Sequence, residues 1–326
     1  MALDMTQLEA ITQDYWKNQT NDIYFTENVM LYKLCGNGQM DLNMVKANEI
    51  VDGGKKIRVF LEHGRSNVGT YGNASEIATA KANIINAARF SWSGYQASNT
   101  LTLDDQIQNN GKEAMVDLAF ASLSNIQKSI RDYMGAGVYV ARSASPDTYG
   151  FDGLPDLFNT TTSTAYGSIA EDDMAAWKAN VDTTAETLNY KVMQKLFRLA
   201  TIGQSRDAKP DLIVTTQLLK DGYIRTLQAQ QRFTNEKLAQ AGFDNILHEG
   251  CPVVYDDNQA TGVVDCLNTK YLKIKAHKDF NFTVPKWTVM NPKQPHILTA
   301  FTTFMGAMVC SNRKANSRGS GKTEPA

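Results

Sequence analysis

The residues with the most suggestive chemistry are Ser317 to Thr323, SRGSGKT. A phosphate loop has the form G-x-x-x-x-G-K-[ST] between a strand and a helix, because nested amides and the helix N-terminus hold the phosphates. Here Asn316 stands where the first glycine belongs, and only Glu324, Pro325 and Ala326 follow Thr323, too few for a helix. The stretch reads instead as a flexible, mildly basic tail over 313–326, whose Arg313, Lys314, Arg318 and Lys322 could touch a phosphate backbone without specificity. His248, Cys251 and Cys266 suggest zinc, yet no C-x-x-C pair and no fourth ligand at the usual spacing accompany them. His63, His277 and His296 have no acid and thiol arranged as a triad.

The paired carboxylates have simpler explanations. Asp172-Asp173 falls where a first helical turn is expected, complementing the dipole, and Asp256-Asp257 falls in a turn, where Asp bonds its own backbone. Gly135-x-Gly137 follows a helix instead of a strand, so it reads as a helix stop and not a dinucleotide fingerprint. Glu62, Arg65, Glu76 and Lys81 read as solvated charges, each exposed pair contributing about 0–1 kcal/mol. The sequence therefore assigns no catalytic residue, no cofactor site and no metal site.

Composition sets the frame around these residues. The 326 residues are 42% hydrophobic and 21% charged with a net charge of −1, which is globular and lacks the basic balance of a dedicated nucleic-acid binder. No apolar run reaches the ~18 residues of a membrane span, and the acidic N-terminus has no signal-peptide core. Cys35, Cys251, Cys266 and Cys310 are far apart in apolar runs and read as reduced core thiols of a chain made in a cytosol, where Asn73, Asn159 and Asn281 stay unglycosylated.

Several elements could carry surfaces in place of a pocket. Ile107, Met115, Leu118, Ser122, Ile126, Ile130 and Met134 form one stripe of a helix over Asp104 to Met134, roughly 45 Å long, loosened at Gly111 and stopped by Gly135 and Gly137. Leu8, Ile11, Tyr15 and Trp16 give residues 5–17 an apolar helical face that needs a surface to lie on. Leu31 to Cys35 is expected as a strand. Lys55 to Glu62 and Ile84 to Gln96 are expected as a long two-stranded ribbon joined by the polar, glycine-rich stretch 63–83.

Beyond the long helix, Gly137 to Ala141 is expected as a strand and 143–167 as loop. The boxes Ser168/Glu171 and Thr183/Glu186 should open two helices, one through Met174 and Trp177, the other through Leu188, Val192, Leu196 and Leu199 to Gly203. Gln217 to Gln231 reads as a further helix. Asp211 to Thr215, Cys251 to Tyr255 and Val263 to Leu267 read as strands, and Tyr271 to Lys275, Phe280 to Val284 and the long apolar run Ile297 to Val309 close the chain as a strand-rich segment.

This layout, with GCPVVYD at Gly250 to Asp256, CLNTKYLKIKAH at Cys266 to His277 and MVCSN at Met308 to Asn312, resembles the major capsid protein of tailed bacteriophages from about Leu31 to Lys314. The resemblance implies an α+β fold with an N-terminal arm (1–35) and an extended two-stranded loop (55–96). It also implies a peripheral domain with the spine helix (36–54, 97–136 and 267–312), an axial α/β domain (137–266) and a flexible tail (313–326). It implies pentamers and hexamers building an icosahedral head around double-stranded DNA, made in the host cytoplasm and ending in the virion. The partners implied are further copies, a separate scaffolding protein, portal and decoration proteins, and packaged DNA held non-specifically, with no membrane.

Residues expected at the assembly interface are Trp16, Arg65, Glu76, Lys81, Phe90 and Trp92. Phe90 and Trp92 fit equally well as covers for the subunit's own spine. Some members of the family cross-link through Lys and Asn; Lys81 and several asparagines exist here, but nothing identifies a pair. An encapsulin-like compartment shell and, from another class, a soluble α+β enzyme are the alternative readings.

Overall fold

The computed structural model describes residues 28–35, 49–70, 72, 79–108, 112–144, 149–161, 165–203, 205–227, 246–282, 287–289, 293 and 296–325. The expected N-terminal helix, Trp16 and Glu76 lie outside them. Val29–Cys35 is a helix, α1, and not the expected strand. Asn28 Oδ1 accepts the Leu31 amide at 2.9 Å, a side-chain cap that starts the helix whatever the apolar run would prefer.

The long helix is described as α2 (Leu103–Gln108) and α3 (Lys112–Val138); residues 109–111, with the loosening expected at Gly111, lie outside the described ones. Thr102 and Asp105 open α2 reciprocally: Asp105 Oδ2 accepts from the Thr102 amide and hydroxyl, and Thr102 Oγ1 accepts the Asp105 amide. The 27 residues of α3 extend about 40 Å and run through both glycines expected to end it, so Gly137–Ala141 starts helical and is no strand. A Cβ at Gly135 would lie 2.9 Å from Asn28 Nδ2, and one at Gly137 2.9 Å from the Tyr95 hydroxyl. These glycines cost helix propensity and permit close approach; they do not terminate the helix.

This helix packs on a four-stranded sheet of order β1-β11-β12-β4, made of β1 (Ile50–Val51), β4 (Ser93–Thr102), β11 (Leu272–His277) and β12 (Ile297–Cys310). β12 and β4 pair from Gly306↔Ser93 to Ile297↔Thr102. Tyr95, Leu101, Phe304, Met308, Leu272 and Ile274 share the buried side with Ile126, Ile130 and Met134 of α3. At 0.8 kcal/mol or so per buried methylene, this apolar layer is what fixes the helix on the sheet.

The ribbon is β2 (Ile57–Glu62) against β3 (Ile85–Phe90), in register from Ile57↔Phe90 to Glu62↔Ile85. The strand expected over 84–96 is therefore two strands in different sheets. The chain breaks at Ser91-Trp92, where Trp92 Nε1 donates to Gly54 O at 2.7 Å and Arg142 Nη2 donates to Trp92 O at 2.9 Å.

A second, six-stranded mixed sheet has the order β5-β13-β10-β7-β9-β8. Its strands are β5 (Asn180–Asp182), β7 (Leu212–Thr215), β8 (Ile246–His248), β9 (Cys251–Tyr255), β10 (Val264–Leu267) and β13 (Ser317–Gly319). After the single turn α4 (Leu154–Leu157), the helices α5 (Tyr190–Ala200) and α6 (Gln217–Thr226) contribute Leu196, Phe197, Leu219 and Tyr223 to its core. Asn189, whose Oδ1 accepts the Val192 amide at 3.0 Å, caps α5; the expected Thr183/Glu186 box does not, and Glu186 lies in the short strand β6 (Glu186–Thr187). Ser168 sits at φ 62 and opens no helix; the segment holds only a 3-10 turn at Ala175–Trp177, so Asp172 and Asp173 lie exposed in turns and complement no helix dipole. Phe280, expected to open a strand-like segment, ends another 3-10 turn, Lys278–Phe280, and the Thr283 and Val284 part of that segment lies outside the described residues.

The tail is the largest correction. Instead of being flexible, β13 lies between β5 and β10, and β14 (Lys322–Thr323) pairs with β6. The basic residues expected to be available are mostly committed: Arg318 is bidentate to the buried Asp265 at 2.7 and 2.8 Å, and Lys322 Nζ reaches Asp182 at 3.0 Å. Arg313 is 1% exposed; only Lys314 of the four is exposed.

Asp182 ties this tail to α5 as well, through Lys195 at 2.9 Å. Burial alone would raise its carboxyl pKa, but hydrogen bonds from Lys195, Thr184 and Lys322 outweigh burial and hold it well below the ordinary range. A carboxylate depressed in the fold stabilises fully above its unfolded pKa of about 3.9, and that contribution is lost as pH falls through the lowered value. Thermal melts at pH 7 and pH 2 should therefore differ less in Asp182→Asn than in the native chain.

Candidate assembly surface

The ribbon has two unlike faces because side chains alternate along each strand. Ile57, Val59, Leu61, Ala88 and Phe90 turn inward and join the main core. Phe90 is fully buried, edge-on to Tyr166 at 5.3 Å, and the Arg89 amide donates to Gly167 O at 2.7 Å, which clamps the base of β3 onto the body. Gly167, at φ 60, lets the backbone approach: a Cβ there would sit 3.1 Å from the Phe90 ring.

The other face is open. Phe60 is 77% and Ile85 61% exposed, and Arg58 and Arg89 are exposed directly across from one another in the register. Like charges opposed on one sheet face are unfavourable within the subunit, and a large exposed phenyl ring beside them gains nothing from water. Both defects disappear against an acidic, partly apolar surface. Beyond the strands, Val68 is 90% exposed, Arg65 and Lys81 are exposed, and Asn67 Nδ2 donates to Ala80 O at 2.6 Å, holding the two arms together.

The structure thus leaves Arg65 and Lys81 on the surface and withdraws Phe90. Trp92 is half-buried, 5.5 Å from His277 and bonded to Gly54, so it covers its own subunit. Phe60, Ile85, Arg58 and Arg89 are the exposed residues that the sequence reading passed over. Their signal was the alternation in IRVFLE, which separates Arg58, Phe60 and Glu62 from Ile57, Val59 and Leu61 without saying which set faces out.

A second exposed patch lies on α2. Leu103 is 47% and Ile107 61% exposed, with Asp104 exposed between them. Among the described residues no group of three or more His, Cys, Asp or Glu is placed to hold a metal. All four cysteines are buried free thiols; burial pushes Cys35, Cys266 and Cys310 up to about 12 and Cys251 upward, which makes them unreactive. No described helix is long and apolar enough to cross a membrane.

A two-stranded ribbon, a long helix on a four-stranded sheet and a six-stranded mixed sheet together make the capsid fold of phage heads. The capsid asymmetric unit of cyanophage A-1(L) matches with a TM-score of 0.74 at 16% identity, over 96% of this chain and 98% of that one. The capsid of an empty GTA particle matches at 0.54 and 12% identity over 95% of each chain, and that of Myoviridae phage XM1 at 0.53 and 10% identity over 93% and 94%. No family model and no curated protein sequence matches.

Proposed function

We propose that the chain is a structural shell subunit that assembles into pentamers and hexamers and closes into an icosahedral phage head around double-stranded DNA. The observation that carries this reading is the near-complete coverage of a solved capsid subunit, end to end, by the fold of this chain. The role is mechanical, so the useful features are faces and not pockets.

In this reading the ribbon is the extended loop, α3 and the four-stranded sheet form the peripheral domain, and the six-stranded sheet is the axial domain. The tail strands β13 and β14 belong with the axial domain, which enlarges it beyond 137–266. The basic, phenylalanine-bearing ribbon face of one subunit seats on the acidic, leucine- and isoleucine-bearing α2 of the next, with Arg65 and Lys81 extending the contact. This is a head-to-tail contact, which closes into rings when its rotation permits. Scaffolding, portal and decoration proteins are the accessory partners, DNA meets the inner face without sequence preference, and the subunit passes from host cytoplasm to virion.

The test is negative-stain microscopy with size-exclusion chromatography of the purified chain, with and without a co-encoded scaffold. Rings of five or six, or closed shells, are the expected result. A monodisperse monomer under every condition overturns the proposal.

A further inference from the structure

A groove of about 400 Å³ lies where the start of β4, the last turns of α3 and residues 149–151 meet. Its floor is Tyr95 and Phe151, both buried, and the Tyr95 hydroxyl already accepts the Phe151 amide at 2.9 Å. Its rim is Tyr133, Val140 and Tyr149, which are 50%, 37% and 72% exposed. Gly94 opens one wall: a Cβ there meets nothing within 4 Å. Among the described residues no charged side chain lines the groove, so it suits an apolar or aromatic helix face better than a polar small molecule.

The sequence holds such a face a short way before the first described residue. The first described residue, Asn28, packs its side chain on Gly135, immediately before the groove-lining Ala136 and Gly137. Asn28 Nδ2 is buried there with no hydrogen-bond partner among the described residues, which places the point where residues 1–27 join the body beside the groove. Trp16 stands twelve residues before Asn28, which allows a reach of roughly 40 Å, several times the length of a helical turn. Leu8, Ile11, Tyr15 and Trp16 fall at i, i+3, i+7 and i+8, one face of a helix.

We infer that this groove is the docking site for residues 8–16 of the same chain. Tethering favours the intramolecular segment over a neighbour's, because a short linker supplies an effective concentration in the millimolar range. The inference does not rest on the shell-forming role.

Two experiments on the full chain test it. Ile11→Cys with Val140→Cys, oxidised in dilute solution, should give an intramolecular disulfide by non-reducing gel and mass spectrometry, whereas Gln13→Cys with Val140→Cys should not. The native thiols, all buried, stay out of the reaction. No cross-link, or a cross-link found only in dimers, overturns the inference. Val140→Glu puts a charge on the apolar rim and should speed tryptic cleavage after Lys17 roughly tenfold by releasing the segment. An unchanged cleavage rate in a variant that melts normally overturns it as well.

Discussion

Arg58→Glu combined with Phe60→Asp is expected to leave a folded, soluble subunit that no longer builds shells. Both side chains point away from the core, so their replacement should change stability by no more than about 0.5 kcal/mol each. The charge change even removes the Arg58–Arg89 opposition within the ribbon. In the proposed contact with a neighbouring subunit, the same changes would put a carboxylate opposite Asp104 and another in the seat of the phenyl ring. A central aromatic anchor is worth about 2 kcal/mol or more, and a shell repeats each contact around every ring. Circular dichroism melts together with sedimentation velocity would separate the outcomes, and normal shells from a normally melting variant would refute the role of this face. Phe90→Asp is the instructive contrast: one residue from Arg89, its side chain is fully buried, and its replacement should unfold the subunit.

Arg313→Ala is expected to cost about 3–5 kcal/mol, a large part of the ~5–15 kcal/mol that stabilises a typical domain. The guanidinium donates to Leu157 O through Nε (2.9 Å) and Nη2 (2.7 Å), to Asn159 O at 2.9 Å and to Trp177 O at 3.0 Å. It also pairs with Glu171 at 3.3 Å and lies over the Tyr166 ring. Removing it strands a buried carboxylate and three carbonyls at once. Lysine would not restore them, since a single ammonium cannot spread its donors across a planar fork. Urea titration gives the measurement; a loss below about 1 kcal/mol would show that the cluster is not the clasp described here.

Much of the fold was legible before any coordinates, and the failures have a common cause. LIVT and CPVVY are short apolar runs rich in β-branched residues, which favours a buried strand over a helix, and they form β7 and β9, while the longer ILTAFTTFMGAMV lies within β12. The stripe of Ile126, Ile130 and Met134 placed the long helix for the same reason. Gly135 and Gly137 misled because their role is set by Asn28 and Tyr95, partners distant in sequence. The tail misled more completely. Arg313, Arg318 and Lys322 look solvent-seeking as a group, and what buries them is Glu171, Asp265 and Asp182, none of them nearby in the chain. Of the candidate interface, the exposure of Arg65 and Lys81 could be read directly, but strand alternation alone cannot say which of two faces meets the core, so Phe90 was nominated and Phe60 was not.

The placement of β13 between β5 and β10 also bears on how the molecule is made. Until β13 arrives, β5 has no partner and β10 is bound on one side only, by β7, so a half-folded chain carries an empty slot between two bare strand edges. A contact spanning so much sequence is entropically slow to close, which prolongs the life of that slot. Where many copies are synthesised together, the slot of one molecule can accept the matching strand of another, producing exchanged pairs that mimic native bonding. Refolding yield should therefore fall steeply with protein concentration, and speed of release and dilution, more than final stability, will govern how many competent subunits accumulate.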